Sequence, residues 1–430
     1  MKPEEFAAAI VPEEMLPEVL ETTARLVSFD TVRRPALPGM PFGKETAEAL
    51  NWFLDLARAE GFTAVNLDNY CGYIEYGEGK EVTAAACHLD IVPVGDPADW
   101  ATPPLEMTRR DGFIYGRGVA DDKGPMVLVY QLMRELKKRG VRLKRRFRLI
   151  VGCAEETGSE CLDYYRAHAE HPVYAITPDA SYPVICGECG ILRFSLEKRY
   201  APGENTAFKL AAGTVINAVP GRAEAEYGGR KFLAEGKAAH ASHPENGDNA
   251  LLKLCAELKG QVDSDFPALV CRLTREDMDL ALADAVSKLT LVPSLAEVNA
   301  EHAQVQCDIR FPVTMRSQDI VKRLEKFAAG TGYTLTVSGV EEPLYFPPDT
   351  PFVVQLQRIY AEATGDAASK PLVIGGGTYA KHLPNTVAFG CGFRGHASHA
   401  HEPNECRNLA DMLINMRILA RTILVLDELA

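Results

Sequence analysis

The sequence has no run of about 18 apolar residues, the length that a membrane-spanning helix needs. Its first residues do not place an apolar core after a basic segment, so no signal peptide is indicated. Basic residues are scarce, with 46 Lys and Arg against 59 Asp and Glu, and the formal charge is −13. This balance argues against nucleic acid as a partner. We therefore predict a cytoplasmic protein that binds neither membranes nor nucleic acid.

The sequence also lacks the motifs of several enzyme classes. It has no G-x-S-x-G nucleophile elbow, no H-E-x-x-H zinc helix, no G-x-G-x-x-G dinucleotide loop and no P-loop. Its 11 cysteines show no disulfide framework. Cys186 and Cys189 form a lone C-x-x-C motif without the second pair of ligands that a zinc knuckle needs. We interpret the cysteines as thiols of a protein core.

The 430 residues, 47% of them hydrophobic, are typical of a globular chain with two or three domains. Strand and helix patterns alternate before residue 190 and again after residue 342, which predicts an α/β domain with a mostly parallel sheet and helices on both faces. The intervening stretch is β-rich, with helices that include one at residues 278–289. We predict a discontinuous domain, 1–190 and 342–430, interrupted by an α+β domain, 191–341.

One segment, residues 111–124, combines four glycines with five charged side chains just before an apolar helix. Its adjacent carboxylates, Asp121 and Asp122, repel each other unless a positive charge lies near them. This pattern favours a cation site. The alternative is a structural role, in which Asp121 or Asp122 caps the helix that follows.

Further metal-ligand side chains follow three predicted strands. His88 and Asp90 follow one strand, Glu155 and Glu156 another, and Asp179 a third. Parallel strands end at the same edge of a sheet, so this arrangement is typical of a metal site. Neighbouring side chains diverge, so one glutamate could bind metal while the other acts as a base. A surface His–Asp pair, solvated glutamates and a turn aspartate are the alternatives.

Other candidates are isolated polar residues. In the tail, His396, His399 and His401 could each be a ligand, a supporting residue or a surface residue. In the inserted domain the candidates are Asn217, His240, His243 and Arg310, each of which could equally be an ordinary surface or turn residue.

Several motifs recur in the order known from one enzyme family. They occupy residues 88–93, 115–124, 155–158 and 178–180, followed by 236–242, 308–312 and 375–380. Together they resemble the co-catalytic di-zinc peptidases and deacylases related to aminoacylase and carboxypeptidase G, and within them the PepV-like dipeptidases. The resemblance spans most of the chain and implies a zinc-exopeptidase-like catalytic domain with an inserted lid.

The resemblance implies two divalent metal ions, with Zn²⁺ favoured and Mn²⁺ or Co²⁺ as alternatives. His88 and Asp179 would hold one ion, Glu156 and His401 the other, and Asp121 would bridge both. The peptide bond between Asp121 and Asp122 would be cis. The spacing to Asn404 and Glu405 selects His401, with His399 as its rival.

The resemblance also implies the catalytic roles. Glu155 would be the general base, and Asp90 would orient His88. His240 and Asn217 would stabilise the oxyanion from the lid. The substrate carboxylate would be bound by Arg310 and by a turn of Gly376, Gly377 and Thr378.

The expected activity is hydrolysis of unblocked dipeptides, with a small peptide as the partner. The first alternative is an N-acyl amino acid deacylase or carboxypeptidase with the same metals. The second is a metal-dependent peptide-binding protein without catalysis. The choice between monomer and homodimer stays open.

Overall fold

A computed structural model describes residues 3–201, 203–204 and 207–429. The chain forms two compact units. Unit 1 consists of Met1–Cys186, Phe346–Leu372 and Thr378–Ala430, and unit 2 of Gly187–Tyr345 and Val373–Gly377.

The segment Val373–Gly377 was predicted to belong with residues 342–430, but it lies in unit 2. The reason is its contacts within that unit. The carbonyl of Ile374 accepts a hydrogen bond from the N–H of Cys189 at 2.8 Å, and the carbonyl of Gly375 accepts one from Arg310 at 2.8 Å.

The sheet of unit 1 is parallel at its centre and antiparallel on both sides. In spatial order its strands include Thr63–Leu67, Cys71–Tyr76, Arg146–Gly152, Val82–His88, Tyr174–Thr177, Thr386–Ala388 and Ile185–Glu188. The four strands from Arg146–Gly152 to Thr386–Ala388 pair in parallel, whereas the outer pairs are antiparallel. The α/β class is confirmed, but the sheet is mixed rather than mostly parallel.

Helices cover both faces of this sheet, as predicted. Successive residues of a strand point to opposite faces. A methyl group on Gly72 would meet Leu50 and Leu54 of one helix, while the next residue, Tyr73, packs against Tyr165 of another, with ring centroids 6.4 Å apart. The helices of unit 1 are Pro3–Ala9, Pro12–Val27, Lys44–Ala59, Lys123–Lys138, Glu160–His168, Pro351–Thr364 and Leu409–Glu428.

A small three-stranded sheet joins the tail of the chain to the glycine-rich segment. Cys406–Asn408 pairs with Phe113–Tyr115, which in turn pairs with Thr108–Arg110. The N–H of Gly116 then donates to the carbonyl of Glu405 at 3.1 Å. The pairing therefore brings the residue before Cys406 next to the segment that carries Asp121.

Unit 2 is built on a seven-stranded antiparallel sheet. In spatial order the strands are Arg230–Glu235, Arg222–Tyr227, Phe208–Ala212, Thr290–Val298, His302–Phe311, Gly190–Arg199 and Thr334–Glu341. Its helices are Ala250–Leu258, Phe266–Cys271 and Ser317–Ala328. This composition agrees with the predicted α+β class.

The helix predicted at residues 278–289 is wrong, because this stretch forms turns and bridges. Met278, Leu280 and Leu289 are buried in the core of unit 2, so the apolar residues of this stretch reflect burial without a helix. The carboxylate of Asp284 accepts hydrogen bonds from the N–H groups of Val286 and Ser287 at 2.9 and 2.7 Å. Such local bonds by a short polar side chain compete with helix formation.

No helix among the described residues has the length and apolarity to cross a bilayer. The 11 cysteines are free thiols, and ten of them are buried.

Candidate metal centre

His88 is the last residue of the buried strand Val82–His88, and its side chain is fully buried. Its Nδ1 lies 2.9 Å from the carbonyl oxygen of Asp90. A carbonyl only accepts, so Nδ1 carries the proton, and in the neutral ring the lone pair lies on Nε2. Nε2 lies 3.0 Å from Asp121 and 3.4 Å from Asp179. The ring therefore presents a ligand atom to two carboxylates.

Asp121 belongs to two groups of ligand side chains. In the first, which we call the buried cluster, it lies with His88 and Asp179. In the second, the exposed cluster, it lies with Glu156 and His401. Oδ1 of Asp121 is 3.0 Å from Nε2 of His88, and its Oδ2 is 3.0 Å from Nε2 of His401. One carboxylate thus offers one oxygen to each cluster.

The donor atoms fit metal ions. Zinc bonds of 2.0–2.1 Å at tetrahedral angles place ligand atoms about 3.3 Å apart. The closest distances within the clusters are 3.0 and 3.4 Å around His88 and 3.0 and 3.1 Å around His401. Imidazole nitrogen with carboxylate oxygen is a donor set that zinc, manganese and cobalt accept. The chemistry of the site therefore suits two divalent cations.

The electrostatics of the site also favour cations. Burial raises the pKa of Asp179, and the Asp121 carboxylate raises it further. Burial raises the pKa of Glu155 as well, with Asp179 adding to the rise. Burial alone would raise the pKa of Asp121, but hydrogen bonds with His401 and His88 outweigh it and lower the pKa. So many carboxylates at close range repel each other unless positive charge lies among them.

Asp90 was predicted to orient His88, and the structure shows that its backbone carbonyl does so. The nearer carboxylate oxygen of Asp90 is 3.5 Å from Nδ1 of His88, beyond the carbonyl. That carboxylate instead accepts hydrogen bonds from the N–H groups of Glu155 and Glu156, at 3.0 and 3.1 Å. Asp90 therefore positions the turn that carries both glutamates.

The peptide bond between Asp121 and Asp122 is cis, as the resemblance implied. Asp122 stands at the N-cap position of the helix Lys123–Lys138, but its side chain makes no capping hydrogen bond. Its Oδ2 accepts instead from the N–H of His88 at 3.1 Å. Burial raises the pKa of Asp122 to about 8. The capping alternative is therefore wrong for Asp122.

The tail histidines differ in their surroundings. His401 reaches Asp121 and Glu156, whereas His399 is exposed and its Nδ1 lies 3.3 Å from Glu402. His396 pairs with Asp411 at 2.9 Å. Of the three, the structure brings only His401 into a cluster of possible ligands among the described residues.

Residues 84–425 match the model of the peptidase family M20/M25/M40. The chain belongs to this family. It is 32% identical to YtjP of Bacillus subtilis over 90% of this chain and 92% of that protein. It is 30% identical to the Beta-Ala-Xaa dipeptidase of Lactobacillus delbrueckii subsp. lactis, over 95% of this chain and 96% of that enzyme.

A solved M20 family metallo-carboxypeptidase from Sulfolobus solfataricus has the same fold. The TM-score is 0.64 at 17% identity, over 96% of this chain and 100% of that one. At this identity the likeness concerns the fold. The assignment of the two ligand clusters therefore rests on the geometry of the present chain and not on this solved structure.

Unit 2 contains most of the residues predicted to bind substrate. Arg310 is buried, and its Nε and one terminal nitrogen donate to the carboxylate of Asp308 at 2.6 and 3.2 Å. Its other terminal nitrogen donates to the carbonyl of Gly375 at 2.8 Å. Because Asp308 takes one edge of the guanidinium, one further N–H remains on each terminal nitrogen. Gly376 and Gly377 follow in the same unit.

The other predicted lid residues lie on a small ribbon of unit 2. His240 pairs with Ala218, the residue after Asn217, and its Nδ1 lies 2.7 Å from Oγ of Ser242. Both His240 and Asn217 are exposed. Thr378 belongs to unit 1, where its hydroxyl accepts from the N–H of Ala380 at 3.1 Å. The roles of these residues in substrate binding stay predictions.

Sequence reasoning missed a buried carboxylate, Glu405, which contacts the segment that carries Asp121. One of its oxygens accepts from the N–H groups of Gly118, Ala120 and Asp121, at 3.0, 2.8 and 3.1 Å. The other pairs with Arg117 at 2.7 Å. The sequence offered one signal, since the Asn404-Glu405 pair helped to place His401, but nothing in it indicated these contacts.

Proposed function

We propose that this chain is a metal-dependent dipeptidase that hydrolyses the peptide bond of unblocked dipeptides. The observation that carries the proposal is the single carboxylate of Asp121, which offers one oxygen to each of two ligand clusters. Membership of a peptidase family and 30% identity to a dipeptidase over nearly the whole chain support it.

The proposed cofactors are two divalent ions, with Zn²⁺ favoured over Mn²⁺ or Co²⁺. His88, Asp121 and Asp179 would hold one ion. Asp121, Glu156 and His401 would hold the other. When bound, two such ions lower the pKa of a shared water and polarise the scissile carbonyl.

Glu155 is the proposed general base. It is the neighbour of Glu156, which belongs to the exposed cluster, whereas Glu155 belongs to neither cluster among the described residues. Its backbone is held by Asp90 at 3.0 Å, and burial raises the pKa of its carboxyl group. A raised pKa lets this carboxylate accept a proton from water near neutral pH and donate it to the leaving amine.

The residues predicted to bind substrate complete the proposal. His240 and Asn217 would donate hydrogen bonds to the oxyanion of the tetrahedral intermediate. The remaining N–H groups of Arg310 and the turn at Gly376, Gly377 and Thr378 would bind the C-terminal carboxylate of the substrate. Asp308 would hold the Arg310 guanidinium in place for this contact.

Parallel turnover assays test the substrate class. The purified chain, loaded with Zn²⁺, is given unblocked dipeptides and the matching N-acetyl amino acids, with and without a chelator. We expect chelator-sensitive hydrolysis of the dipeptides. Faster turnover of the acylated compounds would establish the deacylase instead, and tight peptide binding without turnover would establish a binding protein.

The role of Glu155 has its own test. Glu155→Gln should keep its metal and lose activity by roughly 10²–10⁴-fold, the usual contribution of a general base. Glu160→Gln is the matched control, because Glu160 is exposed and pairs with Arg33 at 2.6 Å. Metal content and steady-state rates of both variants are measured together. Full activity of Glu155→Gln excludes the proposed role.

A further inference from the structure

Glu405 is completely buried, and its side chain forms hydrogen bonds with one short segment, residues 117–121. Oε1 accepts three backbone hydrogen bonds, from Gly118, Ala120 and Asp121. Oε2 accepts from Arg117, which is itself 2% exposed. One oxygen of this buried carboxylate thus accepts from three backbone N–H groups and the other from a guanidinium, the charge-assisted kind of hydrogen bond.

The segment that Glu405 contacts has an uncommon backbone conformation at Gly118. Gly118 has a φ of +91°, in the region that side chains rarely adopt. Within this one segment, three backbone N–H groups point at the same oxygen of Glu405. An unpaired buried N–H is unfavourable, so without the acceptor these N–H groups favour another backbone conformation.

Asp121 is held from both sides. Its own N–H donates to Glu405, and the carboxylate of the next residue, Asp122, accepts from the N–H of His88. These two contacts set the backbone on each side of the Asp121 side chain. Because that side chain offers an oxygen to both clusters, a displacement of its backbone alters both.

We infer that Glu405 is a positioning residue for Asp121: through three backbone N–H groups it sets where the shared carboxylate stands, and so controls both proposed metal sites at once. The inference deepens the proposed function, on which it rests for its consequence in catalysis. Its consequence for metal binding can be measured without any substrate.

The first test is Glu405→Gln, titrated with Zn²⁺ against a chromophoric chelator. Glutamine offers one oxygen and brings an NH₂ group towards Arg117, so the three N–H groups lose a charged acceptor. We expect both ions to bind about 10–100-fold more weakly, the usual effect of losing a group that orients a ligand. The absorption spectrum of bound Co²⁺ should change as well.

The matched control is Glu75→Gln. Glu75 also accepts from a buried arginine, with Nε of Arg148 at 2.9 Å, but it belongs to neither cluster. It should lower the melting temperature and leave both Zn²⁺ affinities within about threefold of the unaltered chain, since additivity holds for distant sites.

A double variant separates positioning from simple stability. Arg117→Met with Glu405→Gln removes both partners of the buried ion pair, which is less costly than removing one. It serves also if Glu405→Gln alone does not fold. Positioning predicts that the double variant still binds both ions weakly. Recovery of both affinities together with the melting temperature would reduce Glu405 to a structural role.

The unaltered chain supplies an independent measurement. If Glu405 holds the segment in advance, the N–H groups of Gly118, Ala120 and Asp121 exchange slowly with deuterium before any Zn²⁺ is added. Fast exchange that slows only with Zn²⁺ overturns the inference. So does a folded Glu405→Gln with unchanged affinities. A chain without dipeptide turnover but with this pattern of affinities refutes the proposed function and leaves the inference standing.

Discussion

The buried and exposed clusters share Asp121 but differ in how their histidines are held. His88 is fully buried, its Nδ1 proton is taken by a backbone carbonyl, and Tyr379 packs edge-on against its ring. His401 is 54% exposed and lies on a turn with a φ of +64°, which is uncommon for residues other than glycine. The position of the His88 ring is therefore fixed by core packing, whereas the position of the His401 ring depends on the turn that carries it.

The difference indicates which cluster has its ligand side chains fixed before a metal ion binds. A ligand with fixed neighbours loses little freedom on binding, whereas an exposed one must be ordered at that moment. We therefore expect the buried cluster to bind its ion more tightly than the exposed one.

The largest expected effect comes from removing each histidine in turn. His401→Ala should lose the ion of the exposed cluster, with affinity down by more than about 100-fold, and keep the other. His88→Ala should lose the ion of the buried cluster and also destabilise the fold by about 1–3 kcal/mol, because it leaves buried polar partners unsatisfied. Zinc content after gel filtration and melting temperature measure both. Equal loss of both ions in His401→Ala would contradict the expectation that the buried cluster binds its ion independently of His401.

The next effect is a pH dependence of the exposed cluster. Hydrogen bonds with Asp121 and Glu156 raise the pKa of His401 from 6.5 to about 11 in the metal-free chain. The stabilisation by its protonated form is complete below pH 6.5 and disappears as the pH rises through 11. A metal ion must displace this proton, so Zn²⁺ affinity at this cluster should rise about tenfold per pH unit between pH 7 and 9.

Calorimetry in buffers of different ionisation enthalpy counts the protons released. His401→Gln should release about one proton fewer than the unaltered chain. An affinity that stays flat over this pH range contradicts the assignment of His401 to the exposed cluster.

The smallest effect is expected for His399→Ala. His399 is exposed and contacts Glu402 rather than either cluster. Activity and both Zn²⁺ affinities should stay within about twofold, as is usual for a surface substitution. A large loss of zinc would show that His399, rather than His401, is the tail ligand of the exposed cluster.

The sequence predicted the site best where ligands follow buried strands. His88, Glu156 and Asp179 come directly after apolar runs, and the shared edge of a parallel sheet brings such residues together. The prediction was weaker where local pattern misleads. The apolar residues of 278–289 led to the prediction of a helix, although the chain there forms turns.

Two sets of contacts between distant segments were not predicted from the sequence. Glu405 lies 284 residues from Asp121 and reaches it because Cys406–Asn408 pairs with Phe113–Tyr115. Likewise, Asp90 contacts the turn at Glu155 with its carboxylate and His88 with its carbonyl. Neither set of contacts can be inferred from the local periodicity of the sequence.

The sequence by itself determined the fold class, the order of the motifs and the types of side chain at the proposed metal centre, because periodicity and composition act over a few residues. The tertiary structure alone decided which oxygen each donor approaches and which buried carboxylate holds the shared ligand in place. Those choices depend on distances between segments that are far apart in the chain, and such distances exist only once the core has packed.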